Sequence, residues 1–157
     1  MAKIEPIAPY LEPIRKSVTV NRSVEDAFRL FTQGMADWWP KDRYSVSQER
    51  AREVVLEPRA GGSVYEVRDD GMTFPWGKVK VWEPPRRLIM SWHPGRGPEV
   101  AQEVEIRFEA VENGTRVDLE HRDWSRLGAD AAEVRDRYAG GWTEVLGRCF
   151  VDACANE

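Results

Sequence analysis

Apolar and polar residues alternate on both sides of a turn between Glu103 and Arg122. Val104, Ile106, Phe108 and Ala110 stand on one side, with Glu103, Glu105, Arg107 and Glu109 on the other. Beyond Asn113-Gly114, Val117, Leu119 and His121 alternate with Arg116, Asp118, Glu120 and Arg122. A period of two marks a half-buried strand, and Asn-Gly is the strongest short hairpin signal. A two-residue turn at Asn113-Gly114 sets Ala110 opposite Val117, Phe108 opposite Leu119 and Ile106 opposite His121. The hairpin therefore carries an imidazole on its buried side.

The pattern elsewhere predicts a first strand over Ile14 to Val20, imperfectly alternating. Ser23 then suits a helix N-cap, and Val24, Ala27, Phe28 and Phe31 recur at helical spacing. Gly34 interrupts, and Met35 to Trp39 gives a second short helix closed by Pro40. Arg43 to Arg52 reads as loop, with Tyr44 and Val46 as apolar anchors. Short strands follow over Glu53 to Glu57, Ser63 to Arg68, Trp76 to Trp82 and Arg87 to His93. Gly, Pro and Asp clusters separate them. Leu88, Met90 and Trp92 form one apolar column. Alternation puts Trp76 outward with Lys78, unless Pro75 introduces a bulge. Glu66 turns inward if Val64 does; Tyr65 and Val67 define the inward face equally well, which leaves Glu66 in solvent.

The last element is a helix. Asp130 and Glu133 have capping-box spacing, and Val134, Tyr138, Trp142, Val145 and Cys149 form one apolar stripe. Gly140-Gly141 lies within it, so either the helix kinks or something approaches its backbone closely. One strand, two short helices, six strands and one long helix make an α+β chain. Short connections between consecutive strands make the sheet an antiparallel meander.

Composition narrows the function classes. The 157 residues suffice for one domain, residues 14–157, preceded by an extended arm over residues 1–13 with Pro6, Pro9 and Pro13. That arm is the candidate contact for a homodimer. A net charge of −4 carries no footprint for nucleic acid, and no apolar run is long enough to span a membrane. The N-terminus does not read as a secretory signal, and Cys149 and Cys154 are badly spaced for a bridge on a helix, so a cytoplasmic protein with reduced thiols is expected. No Cys/His cluster has metal-ligand spacing and no nucleophile elbow occurs, so no metal and no cofactor are expected. Seven tryptophans stand out. They build either a large aromatic core or the wall of a cavity.

These pieces together resemble a known family. Arg15-Lys16-Ser17-Val18 leads to Ala27-Phe28, Phe31-Thr32 and Trp38-Trp39-Pro40. Gly61-Gly62, Trp76-Gly77-Lys78-Val79, Trp82 through Leu88 and Ser91-Trp92 follow. Thr115-Arg116-Val117 through His121 and Gly141-Trp142 close the series. In this order, from about Ile14 to the C-terminus, they are similar to the Hsp90 ATPase activator homologue family of the START/Bet v 1-like superfamily. The resemblance implies a helix-grip fold: a curved sheet of seven antiparallel strands around a long C-terminal helix, with a cavity between them. It further implies binding of apolar small molecules, or cyclase or hydrolase activity in a few relatives. The chaperone-stimulating motif of the co-chaperone that named the family lies in a further N-terminal domain. Trp38-Trp39-Pro40 is not that motif, so an Hsp90 role is not expected.

Three readings follow. In the first, a non-catalytic module binds a hydrophobic or aromatic small molecule, walled by Trp39, Met90, Trp92, Phe108, Leu119, Tyr138 and Trp142, with His121 as polar anchor. In the second, a cyclase or hydrolase uses His121, and Glu66 with it, as acid and base. In the third, the domain binds a protein partner such as a chaperone. His121 itself is open to two descriptions: a paired core histidine, or a group that meets ligand.

Overall fold

The computed structural model describes residues 10–155. In chain order the elements are β1 (Ile14–Val20), α1 (Val24–Thr32), α2 (Met35–Trp38), β2 (Ala51–Leu56), β3 (Ser63–Arg68), β4 (Thr73–Glu83), β5 (Arg87–Trp92), β6 (Gln102–Val111), β7 (Gly114–Arg122), α3 (Ala131–Glu144), a π-helical turn (Val145–Phe150) and α4 (Val151–Ala155). One antiparallel sheet runs β1-β7-β6-β5-β4-β3-β2 and curls as a half-barrel around the terminal helix. This is the α+β helix-grip arrangement. Of the expected arm over residues 1–13, to which a homodimer contact is assigned, residues 1–9 lie outside the described residues.

Local chemistry explains the elements. The Ser23 hydroxyl accepts a hydrogen bond from the Asp26 amide at 3.1 Å, and Glu25 and Asp26 sit in the first turn of α1, where negative charge suits the helix dipole. The apolar face of α1, Ala27, Phe28 and Phe31, is buried. Its rings meet Phe108 and Phe150 edge to face at 5.1 to 5.9 Å. Along the strands, the inward positions Val64, Val79, Leu88, Met90, Val104, Ile106, Phe108, Val117 and Leu119 are all buried. Burying one such side chain contributes about 1.5–3 kcal/mol relative to leaving it exposed. The outward positions of β6 and β7 carry charge. Arg122 bridges Glu103, Glu105 and Glu120, and Arg87 and Arg107 add bonds to Glu105. Burial raises the Glu105 carboxyl, but these guanidinium bonds outweigh it and hold it at about 2.

Two sequence expectations need correction, and one open alternative is decided. The β6–β7 turn is centred on Glu112-Asn113, so Val104 pairs with His121, Ile106 with Leu119, Phe108 with Val117 and Ala110 with Thr115. Asn113 takes the left-handed conformation at φ 69°. Gly114 is drawn into the strand because β7 passes the end of β1 there, and a Cβ would sit 2.1 Å from the Val20 carbonyl. The shift is two residues, so each side chain keeps its face. Second, Asp130 makes no capping bond to α3 and no capping box forms. It pairs weakly with Arg96 at 3.6 Å instead. Trp76, open between the outward face and a bulge at Pro75, takes the bulge. Val64 pairs with Gly77 and Tyr65 with Pro75, so Trp76 is the extra residue of a bulge and its ring is fully buried.

Candidate functional site

A cleft of about 480 Å³ opens between α3, the end of β5 and the segment after α2. That volume lies in the range of small-molecule sites. The helix contributes Val134, Tyr138 and Trp142, three positions of the expected stripe, followed by Val145 in the π-helical turn. β5 delivers Trp92, and the Pro94-Gly95-Arg96 loop continues that wall. Trp39, Arg43, Tyr44 and Val46 form the opposite wall.

Two carboxylates hold that last segment like a strap. Glu66 accepts hydrogen bonds from the Val46 amide at 2.7 Å, the Ser47 amide at 2.9 Å, the Ser47 hydroxyl at 2.5 Å and the Trp76 indole at 2.7 Å. Burial pushes its pKa up, but these bonds outweigh it and the carboxyl stays below its ordinary value, ionised. Glu66 thus faces inward and is fully buried. At the other edge, Glu144 accepts from the Tyr44 hydroxyl at 2.9 Å and from Arg43. The Trp39 indole donates to the Tyr44 carbonyl at 2.7 Å. Tyr44 lies over Gly141, where a Cβ would stand 3.3 Å from the ring. The glycine pair therefore admits a close neighbour rather than a kink, and α3 continues through it to Glu144.

His121 sits behind the cleft, fully buried. The Trp142 indole donates to its Nδ1 at 3.0 Å, so the proton rests on Nε2, which donates to Gln102 Oε1 at 3.2 Å. Gln102 in turn donates to the Val100 carbonyl at 2.6 Å. Trp124 packs on the ring with centroids 4.1 Å apart. Burial lowers the imidazole to about 3, so it is neutral near pH 7.

Of the residues expected at the site, Trp39, Trp92, Tyr138 and Trp142 line the cleft. Met90, Phe108, Leu119 and His121 are buried in the core and form no part of its lining. Glu66 and His121 keep separate hydrogen-bond partners and make no pair with each other. The lining also includes Arg43, Arg96 and Arg137. Arg43 and Arg96 come from irregular segments where no periodicity points inward, and Arg137 precedes Tyr138 off the stripe. Among the described residues, no cluster of three or more His, Cys, Asp or Glu is placed to hold a metal ion. No helix among them is long and apolar enough to cross a membrane.

One polar atom breaks the pattern. Five of the seven indoles, those of Trp38, Trp39, Trp76, Trp124 and Trp142, donate to protein acceptors. Trp92 is buried at the cleft, and its Nε1 is the single buried side-chain polar atom without a partner among the described residues. The Tyr138 hydroxyl lies beside it, near enough for the indole to favour phenolate. The two do not complete a hydrogen bond by distance and angle. Burial still prevails at Tyr138 and keeps its pKa above the ordinary value, so the phenol is neutral. A donor and a neutral hydroxyl therefore stand together in an aromatic wall.

Comparison with known proteins bears on the family and the fold. An anthrahydroquino-γ-pyrone synthase, Txn09, solved in complex with SUM, is 33% identical over 91% of this chain and 97% of its own, with a TM-score of 0.62. A protein from Rhodobacter sphaeroides is 21% identical over 97% of this chain and 99% of its own, with a TM-score of 0.66. DynU16, from the dynemicin biosynthetic locus, is 18% identical over 88% of this chain and 46% of its own, at 0.62. The last two share the fold. No curated protein matches the chain. The sequence profile of the Activator of Hsp90 ATPase homolog 1-like proteins matches residues 21–152, and the chain belongs to that family.

Proposed function

We propose that this protein binds an aromatic, oxygen-bearing small molecule in the cleft between α3 and the end of β5. The observation that carries the reading is the unpaired Trp92 N–H. An unsatisfied buried donor costs about 1–3 kcal/mol, and a ligand carbonyl or hydroxyl oxygen reaching it recovers that cost. Trp39, Trp92, Trp142 and Tyr138 supply flat apolar surface around that point. The synthase relative, whose name carries an anthrahydroquinone and a γ-pyrone, supports a fused aromatic ligand of this kind.

The test is calorimetric titration with a hydroxyanthraquinone. Binding is expected, and Trp92→Phe weakens it about three- to tenfold, the worth of one hydrogen bond. The loss is confined to ligands bearing a ring oxygen. Absence of binding across fused aromatic quinones, or equal affinity in the variant, counts against the reading.

The same relative favours a second reading, in which the bound molecule is also transformed. Proton transfer in that case belongs to Tyr138 or to the ligand's own hydroxyls. The His121 ring is neutral with both nitrogens engaged, and Glu66 is fully occupied by its donors.

A further inference from the structure

We infer that the ligand of this cleft is an anion, an aromatic carboxylate or acidic phenol, held by Arg96 and Arg137 at the mouth while its rings lie on the indoles. The inference rests on the cleft being a binding site, as proposed above, and specifies the charge of what enters.

The lining holds three arginines and, among the described residues, no aspartate or glutamate. That departs from the chain as a whole, which has 27 acidic and 23 basic residues and a net charge of −4. A positive mouth on a net-negative surface concentrates small anions there and repels them elsewhere. The three arginines are not equivalent. Arg43 is engaged by Glu144, which lies at the edge of the strap. Arg96 has one long contact, 3.6 Å, to an Asp130 carboxylate that is 62% exposed. Arg137 is exposed and makes no ion pair among the described residues. Arg96 and Arg137 are therefore free to exchange water for a ligand carboxylate, which a guanidinium binds through paired, charge-assisted hydrogen bonds. Both fields reach the Tyr138 hydroxyl, so the two cations, the unpartnered Trp92 N–H and the Tyr138 hydroxyl address one end of the cleft. A neutral hydrocarbon uses the indoles alone and leaves these groups idle.

The experiment compares anthraquinone-2-carboxylate with its uncharged carboxamide by calorimetry near pH 7, at about 50 and about 500 mM salt. The carboxylate is expected to bind at least roughly tenfold more tightly at low salt, and high salt should erode that advantage. Arg96→Gln with Arg137→Gln should remove the advantage, so that carboxylate affinity falls to that of the carboxamide measured on the same variant. Both side chains lie at the surface, and an unaltered circular dichroism spectrum checks that the fold survives. Equal affinity for the two probes, or a preference that survives the double substitution, overturns the inference and leaves the binding reading standing. Failure of both probes to bind overturns the two together.

Discussion

At the scale of single residues, His121 shows how burial decides chemistry. Its neighbours Gln102, Trp124, Tyr138 and Trp142 carry no charge near neutrality, so desolvation alone sets its pKa, at about 3 against 6.5 for a free imidazole. The unfolded chain therefore takes up a proton that the folded chain refuses. The contribution of His121 to stability is complete above pH about 6.5 and is lost at about 1.4 kcal/mol per unit as pH falls, until the ring protonates near pH 3. Glu66, Glu103 and Glu105 also have lowered pKa values, but their contributions are lost only below the ordinary carboxylate range. The window between about pH 6.5 and 4.5 thus belongs to His121. Urea unfolding at pH 7 and pH 5 should show a loss of about 2 kcal/mol in the native protein. In His121→Gln that loss should vanish, whatever the variant's stability at pH 7. An unchanged difference in the variant assigns the acid sensitivity elsewhere. The sequence placed this imidazole on the inner face. It did not show the tautomer, because Trp142 and Gln102 reach the ring from elements 21 and 19 residues away.

Among the elements, the strap after α2 carries the clearest consequence. No periodic signal in its own sequence announces its order, since Arg43 to Arg52 follows neither the helical nor the strand period. Order comes from Glu144 at one edge and from Glu66 on β3, whose carboxylate gathers two amides, a hydroxyl and an indole. Glu66→Ala leaves the Val46 and Ser47 amides and the Trp76 indole without their acceptor. A loss of about 2–4 kcal/mol is expected, with faster hydrogen exchange at Val46 and Ser47 than in the sheet. Protected amides at both positions in the variant would mean that Tyr44 and Glu144 suffice to hold the segment. Alternation along the chain left the direction of Glu66 undecided. The deciding feature is the bulge at Trp76, which swings an indole over to the carboxylate and is not visible as a periodic signal.

For the whole molecule, the half-barrel and its helix were legible because each depends on many repeated positions. The stripe Val134, Tyr138, Trp142 and the strands around Leu88, Ile106 and Leu119 agree with one another. Hairpin register was less legible, since it turned on the contact between Gly114 and the Val20 carbonyl. The cleft was half legible: its aromatic wall follows the stripe, whereas its arginines come from off-stripe and irregular positions. That wall has one more property. Trp39, Trp76, Trp92 and Trp142 form a chain of rings with centroids 5.2 to 5.9 Å apart, and Trp38 adjoins Trp39 at 5.6 Å. At such separations light absorbed by one indole is shared with the others, so the set emits as a single antenna. A quinone seated at the cleft should therefore extinguish most of the protein's ultraviolet glow at one equivalent, far more than a quencher of one isolated ring. The aromatic crowding that fills the interior also turns occupancy into an optical signal that needs no label.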